Sequence, residues 1–166
     1  WSSDVCSSDL YQLKETEGNS LWRTARGQNL IAALEVFSGY HFTDLALQGE
    51  LIGEGIQGNP EQLKGQRFYL YDIFDITNKR YLSANERQEV VEELRKNGAD
   101  LPHVPVLNER LHVAREFANV SEILDYAEGP SLNPNVKREG VVFKSLDSNF
   151  TFKAISNTYL LKHKDR

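Results

Sequence analysis

Hydrophobic and polar positions along the chain switch between helical and strand spacing several times. After the polar start Lys14-Glu15-Thr16-Glu17-Gly18-Asn19, the apolar residues Leu30, Ala33, Leu34 and Phe37 recur at helical intervals. Asn19 or Ser20 is placed to cap that helix, which the pattern carries up to Gly39. Leu45-Ala46-Leu47-Gln48-Gly49-Glu50-Leu51-Ile52-Gly53 reads as a strand, followed by a glycine-rich loop to Pro60. Residues 67–76 form a second, aromatic strand. Its period of two predicts Tyr69, Tyr71 and Ile73 on one face, and Phe68, Leu70, Asp72 and Phe74 on the other.

Residues 77–80 are turn material, and Ser83 opens a helix with Val90, Val91 and Leu94 inward, closing near Gly98. Pro102 and Pro105 exclude a helix interior, so residues 101–107 are expected to be extended. Helical character returns over residues 120–127, with Ser121 as cap and Ile123, Leu124 and Ala127 inward. A Gly/Pro/Asn loop, residues 129–135, delivers the chain to Glu139-Gly140-Val141-Val142-Phe143-Lys144. A strand over residues 151–156 follows, with Leu146-Asp147-Ser148-Asn149 as the turn between the two. Helices and strands mix without regular strand–helix–strand alternation. The expected class is α+β, with mainly antiparallel sheets and flanking helices.

Composition changes this picture at one end. Trp1-Ser2-Ser3-Asp4-Val5-Cys6-Ser7-Ser8-Asp9-Leu10 reads as the translation of a sequencing-library adapter, so residues 1–10 are set aside and residues 11–166 are taken as the natural chain. The one cysteine, Cys6, falls in that stretch and carries no information on redox compartment or metal binding. A chain without natural cysteine fits the cytoplasm. The net charge is −5, of which Asp4 and Asp9 supply two, and no strong basic field points to nucleic acid. No apolar run is long enough to span a membrane. His41, His103, His112 and His163 show no metal-ligand spacing.

Candidate chemistry gathers on the strands. The 139–155 hairpin projects Glu139, Lys144 and Lys153, one carboxylate and two cations suited to a phosphate and its metal ion. The same charges on an ordinary edge hairpin would simply be solvated. Glu50 sits between a glycine and an apolar pair, where burial is costly without a partner. An aromatic ring of the 67–76 strand at a pocket mouth can stack on a purine; most such rings are core. Trp22, Arg23 and Arg26 suit a packed tryptophan with exposed arginines, or an RNA-contacting face.

Taken together, the segments at residues 47–59, 68–73, 139–144 and 152–157, in that order, resemble an ATP-dependent RNA ligase. More broadly they resemble the covalent nucleotidyltransferase superfamily shared with DNA ligases and mRNA capping enzymes. They match that family's third motif, its adenine-stacking strand, and its fourth and fifth motifs. The Gly-Ile-Gln-Gly-Asn run at 55–59 favours the RNA-ligase branch. A DNA ligase of the same superfamily, or a degenerate nucleic-acid-binding module, is the alternative.

The resemblance implies the C-terminal portion of a nucleotidyltransferase (ATP-grasp-like ligase) domain. It also implies ATP and Mg2+ or Mn2+ as cofactors, and an RNA partner whose 5′-phosphate and 3′-hydroxyl are joined through lysyl-AMP and RNA-adenylate. Carried over residue by residue, it gives Glu50 the ribose or a metal-bound water and places Tyr71 against adenine. Lys144 and Lys153 join the nucleotide site, Lys153 at the α-phosphate, and Glu139 becomes the metal ligand. As catalytic residues it implies Glu139 and Lys153. Two departures stand out. Lys-x-Asp-Gly, the nucleophile motif, is absent, and its place is expected upstream of Tyr11. Ile155 stands where the fifth motif often has a second lysine, a role that Lys162 is left to fill.

Overall fold

The computed structural model describes residues 13–16, 18–146 and 150–163. Cys6 and the rest of residues 1–10 lie outside the described residues, as do three of the four residues expected to turn the last hairpin, Asp147, Ser148 and Asn149.

Helix α1 (Ser20–Gly27) starts where expected, because the Asn19 side chain accepts from the Leu21 and Trp22 backbone N–H groups. The single long helix expected up to Gly39 is in fact two. Between α1 and α2 (Leu30–His41), Gln28 is buried and Asn29 adopts a left-handed φ of 55°. The break has a tertiary cause. The Gln28 side chain accepts from the Phe68 N–H at 2.7 Å and donates to the Phe68 and Asp100 carbonyls, so it completes backbone pairing that water cannot reach.

Strands β1 (Leu45–Gly53), β2 (Gln66–Asp75) and β3 (Arg80–Tyr81) form an antiparallel sheet in that order. The expected extended segment that contains the prolines docks beside β2: Leu70 N–H donates to Pro102 O and Val104 N–H to Leu70 O, both at 2.8 Å. Helix α3 (Ala84–Lys96) opens at Ser83 as expected, and the structure adds a full capping box between Ser83 and Glu86. Leu30, Ala33 and Phe37 of α2, Leu70 and Ile73 of β2, and Val91 and Leu94 of α3 make the larger core. Each such buried aliphatic or aromatic side chain contributes roughly 1.5–3 kcal/mol.

A second, smaller core lies under the hairpin of β4 (Gly140–Lys144) and β5 (Thr151–Ile155). The short α4 (Val113–Glu116) and α5 (Val120–Ala127) pack on this second core, and the described chain ends on α6 (Asn157–His163). The cap of α5 is Asn119 rather than Ser121, its side chain accepting from Glu122 N–H at 3.2 Å. Phe143 and Phe152 stack at 4.6 Å and 4°, against Ala127 and Tyr126 of α5. Among the described residues β1 to β5 pair antiparallel, as expected for the α+β class, and the single bridge from Leu70 to His103 is parallel. Among the described residues no helix is long and apolar enough to cross a membrane.

Candidate functional site

The face that carries the candidate residues is decided by an irregularity in β2. Its register against β1 runs Leu47↔Ile73, Gln48↔Asp72, then Gly49↔Leu70, which leaves Tyr71 as the extra residue of a β-bulge. The strict alternation expected for this strand therefore fails at its centre. Phe68, Leu70, Ile73 and Asp75 share the core side, while Tyr69, paired with Glu50, faces away from it. Period two had placed Ile73 with Tyr69 and Tyr71. The extra residue shifts the phase, so Ile73 turns inward with Leu70.

Glu50 is exposed beside a glycine that the fold requires. A Cβ on Gly49 would lie 2.3 Å from the Phe68 ring and from Tyr69 O. Glu139 has a glycine of the same kind beside it: a Cβ on Gly140 would lie 2.1 Å from Ala154 O. Both carboxylates thus stand where a neighbouring strand passes at closest approach. The ladder of the hairpin continues one residue past β4, since Ser156 N–H donates to Glu139 O at 2.8 Å.

Register in the hairpin pairs Val142 with Lys153 and Lys144 with Thr151. Lys144 and Lys153 therefore share one face, and Phe143, Phe152 and Ala154 fill the core on the other. Lys153 Nζ lies 2.5 Å from Glu139 Oε1. Lys144 reaches across to the larger sheet. Its Nζ donates to Tyr71 O at 2.8 Å and to Asp72 Oδ2 at 2.6 Å, and stands 5.7 Å from the centre of the Tyr71 ring.

Electrostatics follow from this closure. Burial pushes the Lys144 ammonium below its ordinary value, an effect that Asp72 partly offsets and Arg87 reinforces. Burial likewise raises the Tyr71 hydroxyl, and the negative charge of Glu50 raises it further. Tyr71 thus feels the negative charge of Glu50 and has the Lys144 ammonium 5.7 Å from its ring centre. His103, whose Nδ1 meets Val104 O at 2.6 Å, is lowered chiefly by burial and then, among other causes, by the nearby charges of Arg87 and Lys144. It is half-buried and is held by that backbone contact.

The structure thus brings Tyr71, Lys144 and the sequence-missed Asp72 into one contact, with Glu50 electrostatically adjacent. Glu139 and Lys153 form a second contact on the hairpin face that Lys144 shares. Asp72 appears in the sequence only as one polar residue in an aromatic strand, and nothing local marks its partner 72 positions away. Among the described residues there is no group of three or more His, Cys, Asp or Glu able to hold a metal ion. Glu139 alone fits an ion that takes one protein carboxylate and draws its remaining oxygens from phosphate and water.

Two open clefts lie elsewhere. One, of about 540 Å³, is bounded by α1 and the start of β2 and includes Arg23, Gln28, Arg67 and Asp100. The other, of about 420 Å³, includes Trp22, Arg23 and Arg26. Arg67 is paired to Asp100 and Arg26 to Glu15, whereas Arg23, which lines both clefts, donates to the Gln66 side chain at 3.3 Å. Trp22 is half-buried and donates its indole N–H to Leu13 O at 2.9 Å.

Comparison with known proteins points to one family. A family model described as RNA ligase matches residues 3–156. No curated protein matches the chain. Solved structures of Naegleria gruberi RNA ligase are similar to it. The structure with PPi is 52% identical, with a TM-score of 0.82 over 94% of this chain and 44% of that chain. The structure of a mutant with ATP and Mn is 52% identical, with a TM-score of 0.81 over 93% of this chain and 44% of that one. The chain spans less than half the length of these ligases.

Proposed function

This chain belongs to the RNA ligase family, and from that premise we propose that it supplies part of the ATP site of an ATP-dependent RNA ligase. In the whole protein, RNA 5′-phosphate and 3′-hydroxyl ends would be joined through lysyl-AMP and RNA-adenylate. Support for this reading comes first from the Glu139–Lys153 pair. Two opposite charges held 2.5 Å apart on adjacent rigid strands are a site that a phosphate and a cation can enter, each finding its counter-charge.

In this proposal the Tyr71 ring stacks on the adenine, held in place by the bulge and by Lys144 at its carbonyl. Glu50, beside it, accepts from the ribose hydroxyls. Lys153 turns from Glu139 to the α-phosphate, and Glu139 holds a magnesium or manganese ion. When bound, that ion screens the phosphate charge and orients the leaving group. Lys144 belongs to this site through Tyr71 and Asp72, so its contribution is to position the adenine-stacking ring. No lysine of this chain is assigned to adenylate formation, because residues 1–166 hold no Lys-x-Asp-Gly. A cytoplasmic location completes the proposal, consistent with a natural chain free of cysteine.

Titration calorimetry of the chain with ATP and manganese tests the reading. Lys153→Ala and Glu139→Ala should each weaken binding about tenfold or more, the scale of losing one charge-assisted contact. Binding unchanged in both variants would remove these residues from the nucleotide site.

A further inference from the structure

Between β1 and β2 the chain makes a closed loop, residues 54–65, whose shape is held at high local cost. Gln57, Asn59 and Gln62 have φ of 45°, 50° and 53°, a left-handed region that costs an L side chain roughly 1–2 kcal/mol. Internal bonds fix it all the same. Glu54 N–H donates to Gly65 O, and Asn59 exchanges two hydrogen bonds with the Leu63 backbone at 2.9 and 3.1 Å. The loop is therefore built, not slack.

At its tip stands Glu61, which is used in none of the chemistry above. Its carboxylate accepts from the Ser131 hydroxyl and, at 2.6 Å, from the Asn133 backbone N–H. Asn133 is buried and donates its side-chain amide to Pro60 O at 3.0 Å. These bonds run between residues 70 to 73 positions apart, from the loop after Glu50 to the loop before Glu139.

That second loop is itself rigid. Ser131 N–H donates to Val136 O, Arg138 N–H donates to Gly129 O, and the Arg138 guanidinium donates to the carbonyls of Tyr126, Ala127 and Glu128 at the end of α5. Glu139 follows directly in the chain. A rigid loop carried by the larger sheet is thus fastened to a rigid loop carried by the smaller one, chiefly by the Glu61 carboxylate, with the Asn133–Pro60 bond beside it.

We propose that Glu61 is a positioning residue, setting how the sheet bearing Glu50 and Tyr71 aligns with the hairpin bearing Glu139 and Lys153. The consequence for nucleotide binding rests on the function proposed above, whereas the alignment itself does not. Lys144 grips Asp72 at one point between the two sheets, and one point leaves them free to rotate about it. Glu61 supplies the second point and removes that rotation.

The alignment is read directly with spin labels at Glu89 of α3 and Ser121 of α5, both exposed, in a Cys6→Ser background, by double electron–electron resonance. The parent chain should give one narrow distance distribution. Glu61→Ala should broaden or shift it. Glu61→Gln keeps an acceptor for the Asn133 N–H, while its amide N–H donates to the Ser131 hydroxyl oxygen in place of the bond the carboxylate accepted, and should restore it. A distribution unchanged by Glu61→Ala, or equally disturbed by both substitutions, overturns the proposal. In parallel, Glu61→Ala should weaken ATP–manganese binding about tenfold, with Glu61→Gln near the parent value. If the alanine variant melts lower yet binds ATP–manganese as the parent does, Glu61 is a stability contact only and the positioning role falls. If the parent chain binds no ATP–manganese, the nucleotide reading fails, and the distance measurement still decides the role of Glu61 in alignment.

Discussion

Lys144 of β4 holds Asp72 of β2 at 2.6 Å, with only 29% and 16% of the two side chains exposed. The pair joins the two sheets and fixes the backbone on which Tyr71 sits. Removing Asp72 takes the carboxylate from Lys144 in a partly closed site, and removing Lys144 leaves Asp72 with the longer contact to Arg87 at 3.4 Å, each at a cost of about 1–3 kcal/mol. Lys144→Ala and Asp72→Ala should each lower stability to urea by that amount. The double substitution should cost less than their sum, by about 1 kcal/mol or more of coupling. Strict additivity would show that the pair contributes nothing as a pair.

Tyr71 is expected to act through its ring. Tyr71→Ala should weaken ATP–manganese binding about tenfold, within the roughly 1–3 kcal/mol of a base-stacking contact, while Tyr71→Phe stays within about threefold. Calorimetry at pH 7 separates the two. Equal losses would transfer the role to the hydroxyl.

Acid should loosen α3 through its cap. Glu86 is lowered from 4.5 to about 2, first by the Arg80 guanidinium and then by the Ser83 backbone and hydroxyl. As pH falls, the unfolded chain takes up this proton first. The stabilisation is therefore complete above about pH 4.5 and is lost on the way down to about pH 2. Because the Glu86 side chain is 40% exposed, screening reduces the effect to about 1 kcal/mol. Urea midpoints for the parent and Glu86→Gln, measured across that window, should converge at the acid end. Parallel curves would assign the acid sensitivity to other carboxylates.

The chain by itself should retain no adenylate. Protein-adenylate formation needs an amine aimed in line at the α-phosphorus. Lys153 is aimed at Glu139 instead, and a group about 1 Å out of line loses on the order of a hundredfold. Incubation with α-labelled ATP and manganese, then denaturation, should leave the protein unlabelled. Retained label would mean that a lysine of this chain is a nucleophile after all.

Much of this protein is determined locally, and so is legible in order along the chain. Asn19 and Ser83 start helices because a side-chain oxygen satisfies the orphan N–H groups of the first turn. Pro102 and Pro105 keep their segment extended because each fixes φ and lacks a donor. The four motif segments, and with them Glu50, Tyr71, Glu139, Lys144 and Lys153, can be read from residue type and sequence alone. What the tertiary structure decided are the matters that depend on distant partners. Gln28 breaks a helix because Phe68 and Asp100 need its amide. The bulge at Tyr71 reverses the strand's alternation because Leu70 and Ile73 must both reach the core. Lys144 becomes the anchor of that bulge because folding carries it to an Asp72 that lies 72 positions earlier. Local pattern specifies which groups a strand presents; only packing specifies which of them meet, because burial forces each charge and each backbone polar group to find its partner wherever the chain brings one.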